Sequence, residues 1–202
     1  MKTEKPVQTL TTPELERFLL YIRDNHHSSM QKWSATRNHL IVLLLADAGL
    51  RVGELVQLEQ WDLWSNNMAV TTLVMRAAIT KTKTERILPL SDRIRAAIGR
   101  VKEILWIEPG EFTVAYAFPG TGEDGHISER QVQRMCKSAG KFSINREVYP
   151  HLLRHTFASR TMRVANIRVV QQLLGHKSLN STQIYTHPNG DDLSRAIKNL
   201  EP

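Results

Sequence analysis

Pro150-His151-Leu152-Leu153-Arg154-His155 sets two imidazoles and a guanidinium at i, i+3 and i+4, which is one face of a helix. Such a face has two uses. Histidines four residues apart can ligate a metal, but Leu152 and Leu153 stand where a zinc-protease helix carries its glutamate, and Arg154 would repel the ion. The alternative is an anion clamp, in which a guanidinium forks onto phosphate oxygens while an imidazole moves a proton or donates a hydrogen bond. Three other segments carry comparable groups. Ala48-Gly49-Leu50-Arg51-Val52-Gly53-Glu54-Leu55 places a cation and a carboxylate three residues apart at a helix start, as a surface ion pair or one partly buried behind Leu50. Thr80-Lys81-Thr82-Lys83-Thr84-Glu85-Arg86 offers two lysines on a turn, either solvated or reaching into a groove. Leu173-Leu174-Gly175-His176 stops a helix at a glycine, and Tyr185 follows His176 by nine residues. On one continuous helix nine steps of about 100° would put those two on opposite faces, so the turn over 175–178 is what lets both address one site.

The elements that must hold these groups are legible in outline. Thr11 or Thr12, Pro13 and Glu14 start a helix with Leu15, Phe18, Leu19 and Ile22 on its apolar stripe. A second helix over 35–48 is apolar nearly all round at 40–45, hence central, and Gly49 ends it. A short helix over 52–58 follows. Residues 68–75 and 86–90 are rich in β-formers, with 81–84 as the hairpin tip, and 114–118 offers a third strand. Helical spacing returns over 91–107, 128–139, 152–164, 168–174 and 193–200. The expected class is mainly α with a small antiparallel β-sheet (α+β).

Composition narrows the function. The 202 residues are 41% hydrophobic and 23% charged, ordinary for one domain that buries a real core. The longest apolar run, 40–46, is far short of a membrane span, and no signal peptide opens the sequence. A lone cysteine, Cys136, allows no internal disulfide, so the expected setting is reducing and cytoplasmic. The net charge of +7 is unevenly placed. Residues 1–75 hold seven basic and eight acidic side chains, whereas 130–177 hold ten basic and only Glu147 acidic. Concentrated positive charge suits a polyanion such as nucleic acid, or else forms a solvated basic face.

In this order the motifs resemble the tyrosine recombinase (phage integrase) family: Gly-Leu-Arg51-x-x-Glu54-Leu, the hairpin Lys81 before Glu-Arg-x-x-Pro-Leu, His151-x-x-Arg154-His155, Leu-Gly-His176, then Tyr185. Because the Arg51 motif comes early, the chain resembles the short inverter-type members that flip fimbrial promoters. The resemblance implies a single catalytic domain over 1–202 without an N-terminal DNA-clamp domain, and a tail helix over 190–202 that packs on a neighbouring subunit or in cis. It implies a site-specific recombinase that cuts and rejoins DNA through a 3′-phosphotyrosyl link. Tyr185 would be the nucleophile, Arg51 and Arg154 the phosphate clamp, and His176 a further donor. Lys81 would protonate the leaving oxygen, with Lys83 its rival on the same tip, and His151 would take the tyrosine proton. Glu54 and His155 would support them, Glu54 by positioning Arg51 or His151. No metal or other cofactor is implied. The partners would be double-stranded DNA, three further copies in a homotetramer, and an accessory DNA-bending protein.

Lys83, Arg86, Arg93, Arg95, Arg130 and Arg134 are the expected DNA-contacting cations. The 128–139 helix is the candidate groove element, since Arg and Gln suit purine edges. Rival readings are a type IB topoisomerase-like relaxing enzyme, a non-catalytic DNA-binding regulator of the same fold, and a zinc protein using His151 and His155.

Overall fold

The computed structural model describes residues 8–24, 28–106, 116–120, 124–176, 178 and 180–183. Tyr185 and the expected tail helix over 190–202 lie outside them. Among the described residues the architecture is mainly helical with two small antiparallel sheets.

Helix α1 (Thr12–Asp24) buries Leu15, Phe18, Leu19 and Ile22, the stripe read from the sequence. Its start is held by Glu14, which accepts from the Thr11 backbone N–H at 2.8 Å. Helix α2 (Ser29–Asp47) is the central rod, and residues 40–46 are each 1% exposed or less. A helix buried on every side needs an apolar surface all round, and burying each such side chain contributes about 1.5–3 kcal/mol. Helix α1 and two helices further along the chain, Asp92–Ile104 and Pro150–Met162, pack around it. The helix begins six residues before the expected start because Ser28 caps it, accepting from Gln31 N–H at 3.3 Å. Residues 29–34 show no apolar stripe, so periodicity could not reveal that turn.

Helix α3 (Val52–Val56) and helix α4 (Gln60–Leu63) follow. The expected strand over 68–75 is divided. β1 (Trp64–Ser65) and β2 (Met68–Ala69) form a tight hairpin, turned by Asn66 and Asn67 at φ 51° and 59°. β3 (Thr72–Met75) pairs instead with β4 (Arg86–Pro89), Thr72 opposite Pro89 and Met75 opposite Arg86. A two-residue β1 is too short to show alternation, which hid the division. Tyr116 makes a single antiparallel bridge with Glu59, and residues 114–115 of the expected third strand fall outside the described residues.

Helix α5 (Asp92–Ile104) is capped by Ser91 and buries Ile94, Ala97, Ile98 and Val101. Helix α6 (Glu129–Ile144) opens on a capping box, Ser128 and Gln131 bonding each other's backbone N–H. It runs past the expected end at 139. Gly140 is no stop signal there; a side chain at that position would collide with Val148. Helix α7 (Pro150–Met162) begins at its proline, two residues earlier than expected. Helix α8 (Ile167–Leu174) is capped by Asn166 and ended by Gly175, and helix α9 (Asn180–Gln183) follows. Cys136 is fully buried on α6, and burial pushes its thiol up to about 12, so it is an inert core side chain. Among the described residues no helix is long and apolar enough to cross a membrane.

Candidate functional site

Gly49 makes the first half of the site possible. It leaves α2 with φ +66°, and a Cβ there would strike the ring of Phe157. The chain therefore turns tightly and delivers Arg51 to the residue just ahead of α3. Glu54, 2% exposed, closes the local structure by accepting from the Arg51 backbone N–H at 3.0 Å and from Arg51 Nη1 at 2.9 Å. Arg51 is the more open partner, its side chain 25% exposed.

Arg154 projects from α7 and is buried. Its Nη1 donates to the Gly49 carbonyl, and its Nη2 donates to the Leu174 carbonyl at 2.7 Å. The residue thus ties the α2–α3 turn to the end of α8. The same Nη2 lies 3.3 Å from His176 Nε2. A guanidinium can only donate, so Nε2 is the acceptor and the imidazole proton sits on Nδ1, which donates to Thr182 Oγ1 at 2.9 Å. Thr182, fully buried on α9, is three residues before Tyr185 and had no sequence signal as a partner of His176.

Electrostatics show the cations converging. Burial lowers the His176 imidazole to about 4, and Arg154, Arg51, Arg86 and His155 push in the same direction. His151 is lowered by burial, then by Arg154 and Arg51. Its ring meets that of His155 edge-on, centroids 4.0 Å apart. His155 is lowered to about 4 by burial, His151 and Arg154. Near neutral pH the imidazoles are therefore uncharged and able to accept a proton. His151 and His155 touch, but among the described residues no group of three or more His, Cys, Asp or Glu could hold a metal ion.

A pH prediction follows from these shifts. His39, on α2, is also lowered to about 4, by burial and then by Arg100, Arg23 and Arg93. The unfolded chain takes up protons at these histidines near the ordinary 6.5, while the folded chain resists until about 4. Stability present above pH 6.5 is therefore lost as pH falls toward 4. Thermal melts between pH 7 and 5 should show Tm falling, and His176→Asn should flatten the slope; a Tm constant over that range contradicts the assignment.

The lysine tip lies within residues 76–85, which connect β3 to β4. Lys83 takes φ 52° and folds back, its Nζ donating to the Ala78 carbonyl at 3.1 Å. Lys81 is exposed and makes no hydrogen bond among the described residues. Thr82, Thr84, Arg86, Gly175 and His176 line one groove of about 560 Å³, so the tip and the α8 turn face the same space.

Two of the expected DNA-contacting cations are paired with acidic side chains in the fold. Arg86 is 7% exposed, and both terminal nitrogens of its guanidinium grip Glu54, at 2.9 and 2.6 Å. Burial opposes the charge on Glu54, but the bonds and charge of Arg86 and the bonds of Arg51 outweigh it and hold the carboxyl at about 2. Of the two residues that Glu54 was expected to support, it bonds Arg51. Arg93 grips Asp47 through Nε and Nη2 and reaches Glu16 at 2.8 Å, while Arg160 binds the same Asp47 at 2.9 Å. Arg93→Ala should lower stability by about 1–2 kcal/mol, discounted for its partial exposure, and leave DNA affinity unchanged. Urea midpoints and a DNA titration check both halves of that statement. Arg95 is half-buried and pairs with exposed Asp92 at 3.2 Å. Arg130 and Arg134 remain on the outer face of α6, with Gln133 and Lys137, along a groove shared with Tyr149.

The Phage integrase family model matches residues 8–191. The tyrosine recombinase XerD of Rickettsia prowazekii (strain Madrid E) is 33% identical over 168 residues, 80% of this chain and 54% of that protein. XerC of Thermodesulfovibrio yellowstonii is 35% identical over 164 residues, 79% of this chain and 52% of that protein. The chain thus spans about half the length of these relatives. Among solved structures, XerA recombinase aligns with TM-score 0.75 and 28% identity, covering 100% of this chain and 66% of that one. XerH recombinase bound to its difH substrate before cleavage shares the fold, with TM-score 0.72 at 24% identity, covering 99% and 56%. A match across nearly all of the chain, on a fold that gathers Arg51, Arg154 and His176 around one turn, makes this chain a member of the phage integrase family of tyrosine recombinases.

Proposed function

We propose that the chain cuts and rejoins DNA strands at specific sites, with Tyr185 as nucleophile. The observation that carries this is that Arg154 joins the Gly49 turn, two residues before Arg51, to the imidazole of His176, bringing distant parts of the chain to one place.

The Tyr185 phenolic oxygen attacks the scissile phosphorus while its proton passes to His151, which is uncharged at neutral pH. The bond from phosphorus to the 5′-oxygen breaks, and Lys81 protonates that oxygen because an unassisted alkoxide leaves poorly. Negative charge gathers on the non-bridging oxygens as attack proceeds. Arg51 and Arg154 stabilise it, the largest electrostatic contribution available here. His176 adds a hydrogen bond, since the phosphate favours the Nε2 proton that the empty site disfavours. The product is a 3′-phosphotyrosyl ester with a free 5′-hydroxyl. A 5′-hydroxyl from a second strand reverses the steps, so exchange needs no external energy source.

The partner is double-stranded DNA, with Arg130, Arg134 and Lys83 among its backbone contacts. Four copies on two paired sites, aided by a DNA-bending protein, form the working assembly. Support comes from the relatives' function as tyrosine recombinases and from the XerH structure captured on difH.

The test is trapping on a nicked duplex, followed by a denaturing gel. A covalent protein–DNA band is expected; its absence indicates a non-catalytic DNA-binding regulator. Recombination between two defined sites then separates a recombinase from an enzyme that only relaxes DNA.

A further inference from the structure

We infer that Arg86 is a positioning residue for strand cleavage, acting through Glu54 to keep the Arg51 guanidinium available to the scissile phosphate. This rests on the strand-cleavage reading above.

The geometry on Glu54 carries the inference. Oε1 accepts from Arg51 Nη1 and from Arg86 Nη1, both at 2.9 Å. Oε2 accepts from the Arg51 backbone N–H at 3.0 Å and from Arg86 Nη2 at 2.6 Å. Arg86 therefore occupies the forked face of the carboxylate, and Arg51 is left with one side-chain contact. Among the described residues Nε and Nη2 of Arg51 have no partner. Without Arg86, a guanidinium beside a buried carboxylate closes its own two-pronged bond on it, the geometry that guanidinium and carboxylate prefer. Arg51 would then turn its fork inward, away from substrate. Arg86 prevents this by filling that face first.

Two further observations fix Arg86 in that role. Its Nε is buried with no hydrogen-bond partner among the described residues, so the guanidinium is oriented for Glu54 at the expense of its own third donor. A Cβ on Gly175 would sit 3.1 Å from Arg86 Cδ and 3.3 Å from its Nη1. The guanidinium thus passes close beneath the α8 turn that carries His176, where a side chain at Gly175 would press against it. Arg86 also begins β4, directly after the connection bearing Lys81, so an effect through that lysine must be told apart from one through Arg51.

The full chain is compared with Arg86→Lys in single-turnover cleavage of a nicked duplex. Lysine keeps the charge but cannot fork. Adduct formation should slow about 10–100-fold, as when a residue that orients a catalytic group is replaced. DNA affinity should stay within about 3-fold, and adding Arg86→Lys to Arg51→Lys should cost less than about 3-fold more, because residues acting as one unit do not add. A duplex with sulfur in place of the leaving 5′-oxygen departs without a proton donor, and the defect should persist on it. Recovery on that duplex would place the action at Lys81 and overturn the inference. A full, additive loss in the Arg51→Lys background would reduce Arg86 to packing and also overturn it. If Arg86→Lys does not fold, Arg86→Gln, which likewise cannot fork onto Glu54 and leaves its carboxylate in place, goes through the same comparison with the same expected pattern. No adduct from the unaltered chain would instead sink the strand-cleavage reading itself.

Discussion

Tyr185→Phe should abolish the covalent protein–DNA adduct, lowering its rate at least about 1,000-fold, because removing a nucleophile from a group that acts as one unit removes nearly all of its rate. The change deletes one hydroxyl and keeps the ring, so DNA affinity should move by less than about 2-fold and the fold should stand. Gel trapping on a nicked duplex reads the first effect and a binding titration the second. An adduct that persists would move the nucleophile to another tyrosine. Tyr21 packs against the core from α1, and Tyr116 stacks edge-on with His126 at 4.9 Å. Tyr149 is 39% exposed and stands two residues before His151, which makes it the rival to examine first.

Gly49→Ala should strongly destabilise the folded state. The position needs φ +66°, and a methyl group there drives into the Phe157 ring. Left-handed backbone in a residue other than glycine costs about 1–3 kcal/mol, and displacing a packed ring adds to it. A loss of about 3 kcal/mol is expected, or roughly 6–12 °C in Tm for a chain of this size. Cleavage should suffer as well, since the Gly49 carbonyl holds Arg154 and Arg51 follows two residues later. A melt within a degree or two of the unaltered chain would show that the turn tolerates a side chain.

Gly49 also shows what the sequence disclosed and what it withheld. A glycine after an apolar helix reads as a terminator, and that much was visible. That its carbonyl would receive a guanidinium from 105 residues further on was not, because no local pattern encodes a long-range bond. The long apolar stripes of α1, α2 and α5 were legible because periodicity over several turns is a strong signal. The β1–β2 hairpin and the first turn of α2 were missed, being too short or too polar to show a period. Arg86 and Arg93 look like any surface cations in a basic stretch. Only the fold reveals the buried carboxylates, Glu54 and Asp47, that turn them inward. Arg51, Arg154 and His176 stood out in the sequence through the order of their motifs and the family that this order resembles, not through any local pattern of their own. Thr182 was not, since a threonine that holds a histidine looks like any other threonine.

The neutral imidazole of His176 among guanidiniums has a thermodynamic corollary. Positive neighbours add to burial in keeping its second proton off while the site is empty. A phosphodiester seated between those neighbours cancels part of their field and restores the ring's appetite for that proton. On the proposed reading, loading of DNA is then expected to be linked to uptake of hydrogen ions from the surrounding solution. Calorimetric titrations in buffers with different heats of ionisation would register this as a buffer-dependent enthalpy, absent when the histidine is replaced by asparagine.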